Sequence, residues 1–502
     1  MNKKVVKTKA TDGSLVEYVV SDSPPSGAMK YIYFAPDKSY VVAFFKTPQD
    51  ANAKSRLENI TGKYRNDIFG QIGGDYWKDL FCWPDRIVEH EGKTGITVPT
   101  YAKQFFFELD PALKGKEKEG KWFASAKLMK QLAPVERGDW LSYLKICLKL
   151  SRAVKRMHSA GLAHSDLSYK NVLIDPHGGS ACIIDVDGLV VPGKFPPDVL
   201  GTPDFIAPEV LCSVNAAQKN QRILPSRTTD LHALAVLIYM YLLHRHPLRG
   251  GRYFGDDVDD EESMMMGSHS LFIENPLDKS NRNMKREYGD QFNKSLPWVD
   301  LDNFSAGKVC GPFLSELFGR AFIDGLKNPM ARPIANVWEM AIVKTTDRLQ
   351  PCSNPNCEQK WYVFDGSREP KCPFCGTAYK GLLPMLNFYS SRPGSTGAAN
   401  YQPENYQLMV FNGQSLYNWH VNKNIFPNER LAESDKKRVG YFILHQGKWL
   451  LVNETLRSLY EISSGGKTLI PPGAHIVLED NKQILLSTED GGRLVLIQMA
   501  GK

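Results

Sequence analysis

In the stretch AGLAHSDLSYKNVLID, Ala160 to Asp175, the polar residues His164, Asp166, Lys170 and Asn171 crowd in just ahead of the strand-forming VLID. Asp166 and Asn171 bring a carboxylate and an amide oxygen, the hard ligands that a nucleotide and its Mg2+ would use. The competing reading is a solvated turn. A second group is built of sulfur. PCSNPNCEQKWYVFDGSREPKCPFCGTAY holds Cys352 and Cys357, then Cys372 and Cys375 in the tight turn KCPFCG. Four thiolates in two such turns make a closed tetrahedral Zn2+ site with no position left open for catalysis. A redox role for Cys372 and Cys375 is the rival, and the first cysteine pair argues against it. So short a segment cannot build its own core, so metal binding would drive its folding.

The elements that must carry these groups are legible in outline. A chain of 502 residues exceeds one ordinary core, and 42% apolar with 23% charged residues is a globular composition. A net charge of +7, with basic and acidic residues interspersed, sets no demand for nucleic acid. The opening MNKKVVKTKATDGS lacks a secretory apolar core. LHALAVLIYMYLL, Leu231 to Leu243, is too short for a bilayer and reads as a buried helix. Nine cysteines, five scattered among apolar residues, suit a reducing compartment, so a cytoplasmic address and no membrane are expected.

YIYF and YVVAFFK bracket APDKS as a hairpin. TPQDANAKSRLENITGKY reads as a helix with Thr47 as N-cap and Pro48 in the first turn. WLSYLKICLKLSRAVKRMHSAG is a longer amphipathic helix closed by Gly161. Strands first and helices later is the α+β order. LPMLNFYSSRPGSTGAANYQPEN reads as a linker by composition, and the last hundred or so residues give short strands between turns, a β-sandwich or barrel pattern. GDDVDDEESMMMGSHS, Gly255 to Ser270, is expected to be a solvated loop.

HSDLSYKN resembles the catalytic loop of protein kinases, H-R-D-L-x-x-x-N. Its companions follow in the family's order: YVVAFFK ending in Lys46, IIDVDG with Asp185, GTPDFIAPEV, DLHALAVLIYMYLLHRHPLRG and NPMARPIANVWEM with Arg332. The resemblance implies a bilobal protein-kinase fold and γ-phosphoryl transfer from ATP with Mg2+. It implies that Asp166 orients the attacking hydroxyl, that Asn171 and Asp185 hold Mg2+, and that Lys46 holds the phosphates. Glu58 is the candidate helix glutamate bracing Lys46, at shorter spacing than usual. Nucleotide contacts are implied at Gly27, Lys46, Val98, Tyr101 and Asp185, and an ion pair between Glu209 and Arg332.

Four departures stand out. SPPSGAMKYIY has one glycine, Gly27, where the family has three. Ser165 replaces the arginine of H-R-D. D-F-G has become Asp185-Val186-Asp187, so that Asp187 is either a second carboxylate near the metal or a solvated one. Ser168 replaces a lysine, while Lys170 follows. Thr202 in GTPDF is the Ser/Thr-kinase form. The expected activity is a Ser/Thr protein kinase acting on protein substrates in bacterial signalling; the alternative is a pseudokinase scaffold.

GYFILHQGKWLLVNETLRSLYEI and the strands after it resemble the forkhead-associated sandwich, with DKKR, Asp435 to Arg438, and Asn453 nearby. The expected division is a kinase-like domain at 1–346, a zinc ribbon at 347–382, a linker at 383–402 and the sandwich at 403–502. This layout is similar to bacterial eukaryotic-like kinases of tellurite-resistance systems, which implies a von Willebrand A-type protein and a protein phosphatase as partners.

Overall fold

The computed structural model describes the chain apart from residues 1–3, 28, 71–72, 198, 215, 217, 219–220, 290–295, 368, 392–400 and 502, and apart from the side chains of 258 and 259. Residues 1–138, 142–305 and 316–339 form one compact unit; residues 139–141, 306–315 and 340–502 form another.

The first unit begins with a hairpin of β1 (Val5–Lys9) and β2 (Leu15–Val19), followed by β3 (Lys30–Phe34), β4 (Tyr40–Phe45), β5 (Arg86–His90) and β6 (Lys93–Pro99). The last four make an antiparallel sheet in the order β3-β4-β6-β5. Alternation along β4 divides its side chains between two faces. Val42 and Phe44 pack with Val16, Tyr18 and Val88 of the hairpin side, whereas Ala43 and Phe45 pack with Ile87, Ile96 and Leu57. Leu57 belongs to the helix Ala51–Asn59, so the second face is the helix face. That helix starts later than expected. Asp50, not Thr47, is its N-cap, accepting from Ala53 N at 2.7 Å.

The helix Trp140–Ser159 leads through Gly161, at φ +79°, to β7 (Val172–Asp175) and β8 (Ser180–Ile183), a short antiparallel pair. The helix Arg227–Leu243 is buried along nearly its whole length, as its unbroken apolar run demands. The segment expected to be a solvated acidic loop contains the helix Val258–Met266, capped by Asp257. Its charges have remote partners: Glu262 pairs with Arg249 and Glu261 with Arg286.

In the second unit β9 (Leu349–Pro351) pairs with β10 (Trp361–Val363) beside the cysteines. The sandwich follows with β11 (Leu382–Ser391), β12 (Tyr401–Met409), β13 (Ser415–Tyr417), β14 (Arg438–His445), β15 (Lys448–Asn453), β16 (Tyr460–Ser463), β17 (Gly466–Leu469), β18 (His475–Val477), β19 (Gln483–Leu485) and β20 (Arg493–Gly501). One sheet runs β12-β11-β20-β19-β16-β17 and the other β13-β14-β15-β18. The linker expected at 383–402 is corrected. Residues 382–391 are an inner strand paired on both sides, with Leu383, Met385, Leu386 and Phe388 in the core. Its apolar half was masked by the polar composition that follows, and 392–400 lie outside the described residues. The cysteine segment is continuous with the sandwich. Phe364 enters the same core, and Gln350 Nε2 donates to Val410 O at 3.0 Å.

No helix among the described residues is long and apolar enough to cross a membrane.

Candidate functional site

The loop from His164 to Asn171 is hung from Asp230, which is buried near the start of the helix Arg227–Leu243. Its two oxygens accept the backbone N–H groups of His164 at 2.8 Å and Ser165 at 3.1 Å, and Oδ2 lies 3.1 Å from His158 Nε2. Ser165 takes a left-handed φ of +68°, which turns Asp166 outward from the buried anchor. Asp166 Oδ1 accepts from Thr202 N at 2.7 Å and Thr202 Oγ1 at 2.9 Å. Asn171 Nδ2 donates to Asp166 O at 2.8 Å and Oδ2 at 2.9 Å. Asp166 is therefore held on both oxygens, while Asn171 Oδ1 accepts no hydrogen bond among the described residues. Gly201, at φ +115°, lets the chain pass closely: a Cβ there would lie 3.2 Å from Ser165 O.

Asp185 comes to the same end of the β7–β8 pair. Ile184 N donates to Asn171 O at 3.0 Å, which sets Asp185 one residue beyond. Asp185 is left-handed, at φ +59°, and 57% of its side chain is exposed. Lys30 Nζ donates to Asp185 Oδ1 at 3.1 Å and to Asp187 Oδ1 and Oδ2 at 2.6 and 2.7 Å. Burial alone would lower the Lys30 pKa, but Asp187 and then Asp185 raise it above the ordinary lysine value. Asp185 is partly desolvated, which would raise its pKa; the Lys30 charge outweighs that and lowers it. Of the two readings of Asp187, the solvated one is excluded: its side chain is only 11% exposed.

Two expected residues are not brought here. Lys46 donates to Gly27 O at 2.7 Å and lies over the Tyr31 ring, on the exposed side. The reason is alternation: next to Phe45 on the helix face, Lys46 falls on the opposite face. Glu58 is exposed, with no hydrogen bond or ion pair among the described residues. Its neighbour Asn59 accepts from Lys194 at 3.2 Å. Gly27 is a turn residue whose N–H donates to Lys30 O at 3.1 Å, and a Cβ there would meet no atom within 4 Å. Lys30 was missed in the sequence, and only its cross-strand register, Lys30 opposite Phe45, could have revealed it.

Val98 and Tyr101 are brought together with Cys82, Phe105, Leu173, Cys182 and Ile184 in one apolar cluster, of which Val98, Tyr101 and Ile184 are the partly exposed members. Burial pushes the Tyr101 hydroxyl well above its ordinary pKa. Away from the cleft, Arg332 grips Glu209 with two hydrogen bonds of 2.8 and 2.7 Å and is fully buried.

Residues 130–296 match the protein kinase domain family.

The matched stretch contains Asp166, Asn171, Asp185 and Thr202; the sheet with Lys30 and Lys46 lies outside it. Death-associated protein kinase dapk-1 of Caenorhabditis elegans is 33% identical over 111 residues, 22% of this chain and 7% of that protein. Serine/threonine-protein kinase PknD of Chlamydia trachomatis serovar L2b (strain UCH-1/proctitis) is 28% identical over 143 residues, 23% of this chain and 14% of that protein. Serine/threonine-protein kinase PknD of Chlamydia pneumoniae is 29% identical over 145 residues, 24% and 14%. The chain thus spans no more than 14% of the length of these curated relatives.

In the second unit the sulfurs of Cys352, Cys357, Cys372 and Cys375 all lie within 4.8 Å of one another. Zn–S bonds of about 2.3 Å in a tetrahedron need sulfurs about 3.8 Å apart, and the pairs at 3.5 Å (Cys352 and Cys375) and 3.8 Å (Cys357 and Cys372) fit. Burial opposes ionisation of Cys375, yet the Thr377 hydroxyl and N–H beside it bring its pKa down to about 6. The four residues suit a Zn2+ ion, which would supply structural cross-linking and no chemistry.

Proposed function

We propose that the chain is an ATP-dependent Ser/Thr protein kinase. The observation that carries this reading is Asp166 held between Thr202 and Asn171, at the same end of a strand pair as Asp185. Asp166 orients the acceptor hydroxyl and takes its proton as the hydroxyl oxygen bonds to the γ-phosphorus and the bond to the β-phosphate oxygen breaks. Asn171 Oδ1 and the exposed Asp185 carboxylate are the hard oxygens that would hold Mg2+. The metal, when bound, neutralises charge on the phosphate oxygens. Val98 and Tyr101, partly exposed members of the apolar cluster, would take the adenine. A scaffold that binds nucleotide without transfer is disfavoured, because nothing in the bracing of Asp166 is lost. Incubation with γ-labelled ATP and Mg2+, followed by phosphoamino acid analysis, tests this. Label on serine or threonine supports it; label confined to tyrosine, or none, contradicts it.

The cysteine segment is proposed to be a structural zinc ribbon. Five cysteines scattered among apolar residues, with the other four gathered in one cluster, support a reducing, cytoplasmic setting. The sandwich is proposed to be forkhead-associated-like. A groove of about 410 Å3 has Ser434, Lys437, Arg438 and Arg457 in its wall beside the single acid Glu489, and Arg438 is paired with Glu454; the basic excess supports an acidic or phosphorylated peptide as its guest. Asn453 is taken up internally, bonded to the backbone of Leu456 and Ile470. Phosphothreonine and plain threonine peptides should differ in affinity by about tenfold if that guest is right; equal affinities would remove it. On the likeness of layout alone, a von Willebrand A-type protein and a protein phosphatase are proposed as partners.

A further inference from the structure

Phosphoryl transfer needs a fixed cation against the nucleotide phosphates, which the family pattern takes from a strand lysine braced by a helix glutamate. Neither is in place here. Lys46 follows β4 and lies over the ring of Tyr31, the residue opposite Phe44, and Glu58 is exposed. Lys30 opens β3 directly opposite Phe45, and residues opposite each other in an antiparallel pair share a face. It therefore stands on the helix face, where a lysine at position 45 would stand. Its Nζ lies 5.4 Å from the centre of the Phe45 ring, and its side chain is 16% exposed.

The two carboxylates it meets are used differently. Asp187 spends both oxygens on Lys30, at 2.6 and 2.7 Å, and is nearly buried. Asp185 receives one longer bond of 3.1 Å from Lys30 and stays exposed. Building on the kinase reading above, we propose that Lys30 is the phosphate-binding cation and that Asp187 is the anion that positions it. The pair replaces the strand-lysine and helix-glutamate pair, and leaves Asp185 for the metal. It also accounts for an aspartate at the third position of the D-F-G-like triplet and for a helix whose Glu58 is left exposed.

The test is Mg-ATP binding to the full chain by calorimetry, with thermal unfolding of each variant followed in parallel. K30M should weaken binding about 30-fold or more, and D187N about tenfold, while K46M stays within about threefold. Moving the lysine across the register, in the double variant K30M/F45K, should recover about tenfold of the loss, which a merely structural role for Lys30 does not predict. K30M with wild-type affinity, or K46M as damaging as K30M, overturns the proposal. Should K30M fail to fold, the isosteric D187N decides: about tenfold weakening supports the pair, and wild-type affinity overturns it. A wild-type chain that binds Mg-ATP but transfers no phosphate sinks the kinase reading and leaves this ratio as the test of Lys30. A wild-type chain that binds no Mg-ATP overturns both.

Discussion

Thr202 donates twice to one oxygen of Asp166, through its N–H at 2.7 Å and its hydroxyl at 2.9 Å. The second bond is the one a substitution can remove. Replacing threonine with valine keeps the shape and the N–H contact but removes one of the three bonds that hold the Asp166 carboxylate. T202V should lower kcat about tenfold with KM for ATP little changed, and T202S should restore it. Steady-state kinetics with ATP and a protein acceptor checks the split. An unchanged kcat would remove the bracing role.

Arg332 is buried and bidentate on Glu209, and also donates to Gly325 O and Thr228 O. Removing one partner strands the other charge, so R332M should cost about 3 kcal/mol of unfolding free energy, and E209Q/R332M less than the sum of the single changes. Urea unfolding of the four proteins measures the coupling. Strict additivity would show that the two residues do not act as a pair.

His246 is locked as a neutral imidazole. Leu248 N donates to its Nδ1 at 3.1 Å, so the proton sits on Nε2, which faces Asp204 O at 3.0 Å. Burial, with help from Arg249 and against the attraction of Asp204, lowers its pKa from 6.5 to about 4. The unfolded chain therefore binds a proton that the folded chain refuses between those values. This contribution is complete above pH 6.5 and is lost as pH falls from there toward 4. At pH 5 the loss from this one group is about 2 kcal/mol. Replacing His246 with asparagine should flatten the slope of stability between pH 7 and pH 5, read by urea titration at each pH. An unchanged slope would contradict the assignment.

The four-cysteine cluster should hold one zinc per chain. Removing it with a strong chelator at neutral pH, or making C372S, should unfold the second unit's cysteine segment and lower its melting temperature by several degrees, roughly the effect of losing a few kcal/mol. Metal analysis with calorimetry reads both. A chain that purifies zinc-free and melts identically with and without added zinc would exclude the site.

How much of this was written locally in the chain differs by element. Asp166, Asn171 and Asp185 were picked out by the resemblance of HSDLSYKN and IIDVDG to kinase motifs, and the β7–β8 pair between them brings Asn171 and Asp185 to one end. The cysteines were legible because sequence spacing reports the geometry of two tight turns directly. Lys46 was misplaced because its role depends on which face of β4 it occupies, and one residue of phase reverses that. Lys30 was invisible because its partners, Asp185 and Asp187, meet it only through tertiary folding. The acidic run at Gly255–Ser270 was read as solvated because the arginines that neutralise part of it, Arg249 and Arg286, are not in the run. Strand β11 was hidden by a window whose apolar and polar halves averaged to a linker.

The central claim is that Asp166 works as a catalytic carboxylate over a bound nucleotide. It is tested most directly by comparing the wild-type chain with D166N in one Mg-ATP reaction, phosphoryl transfer and nucleotide affinity being read from the same samples. The account predicts a fall in transfer of about 100-fold or more with affinity kept within about threefold. Equal transfer by the two proteins would contradict it.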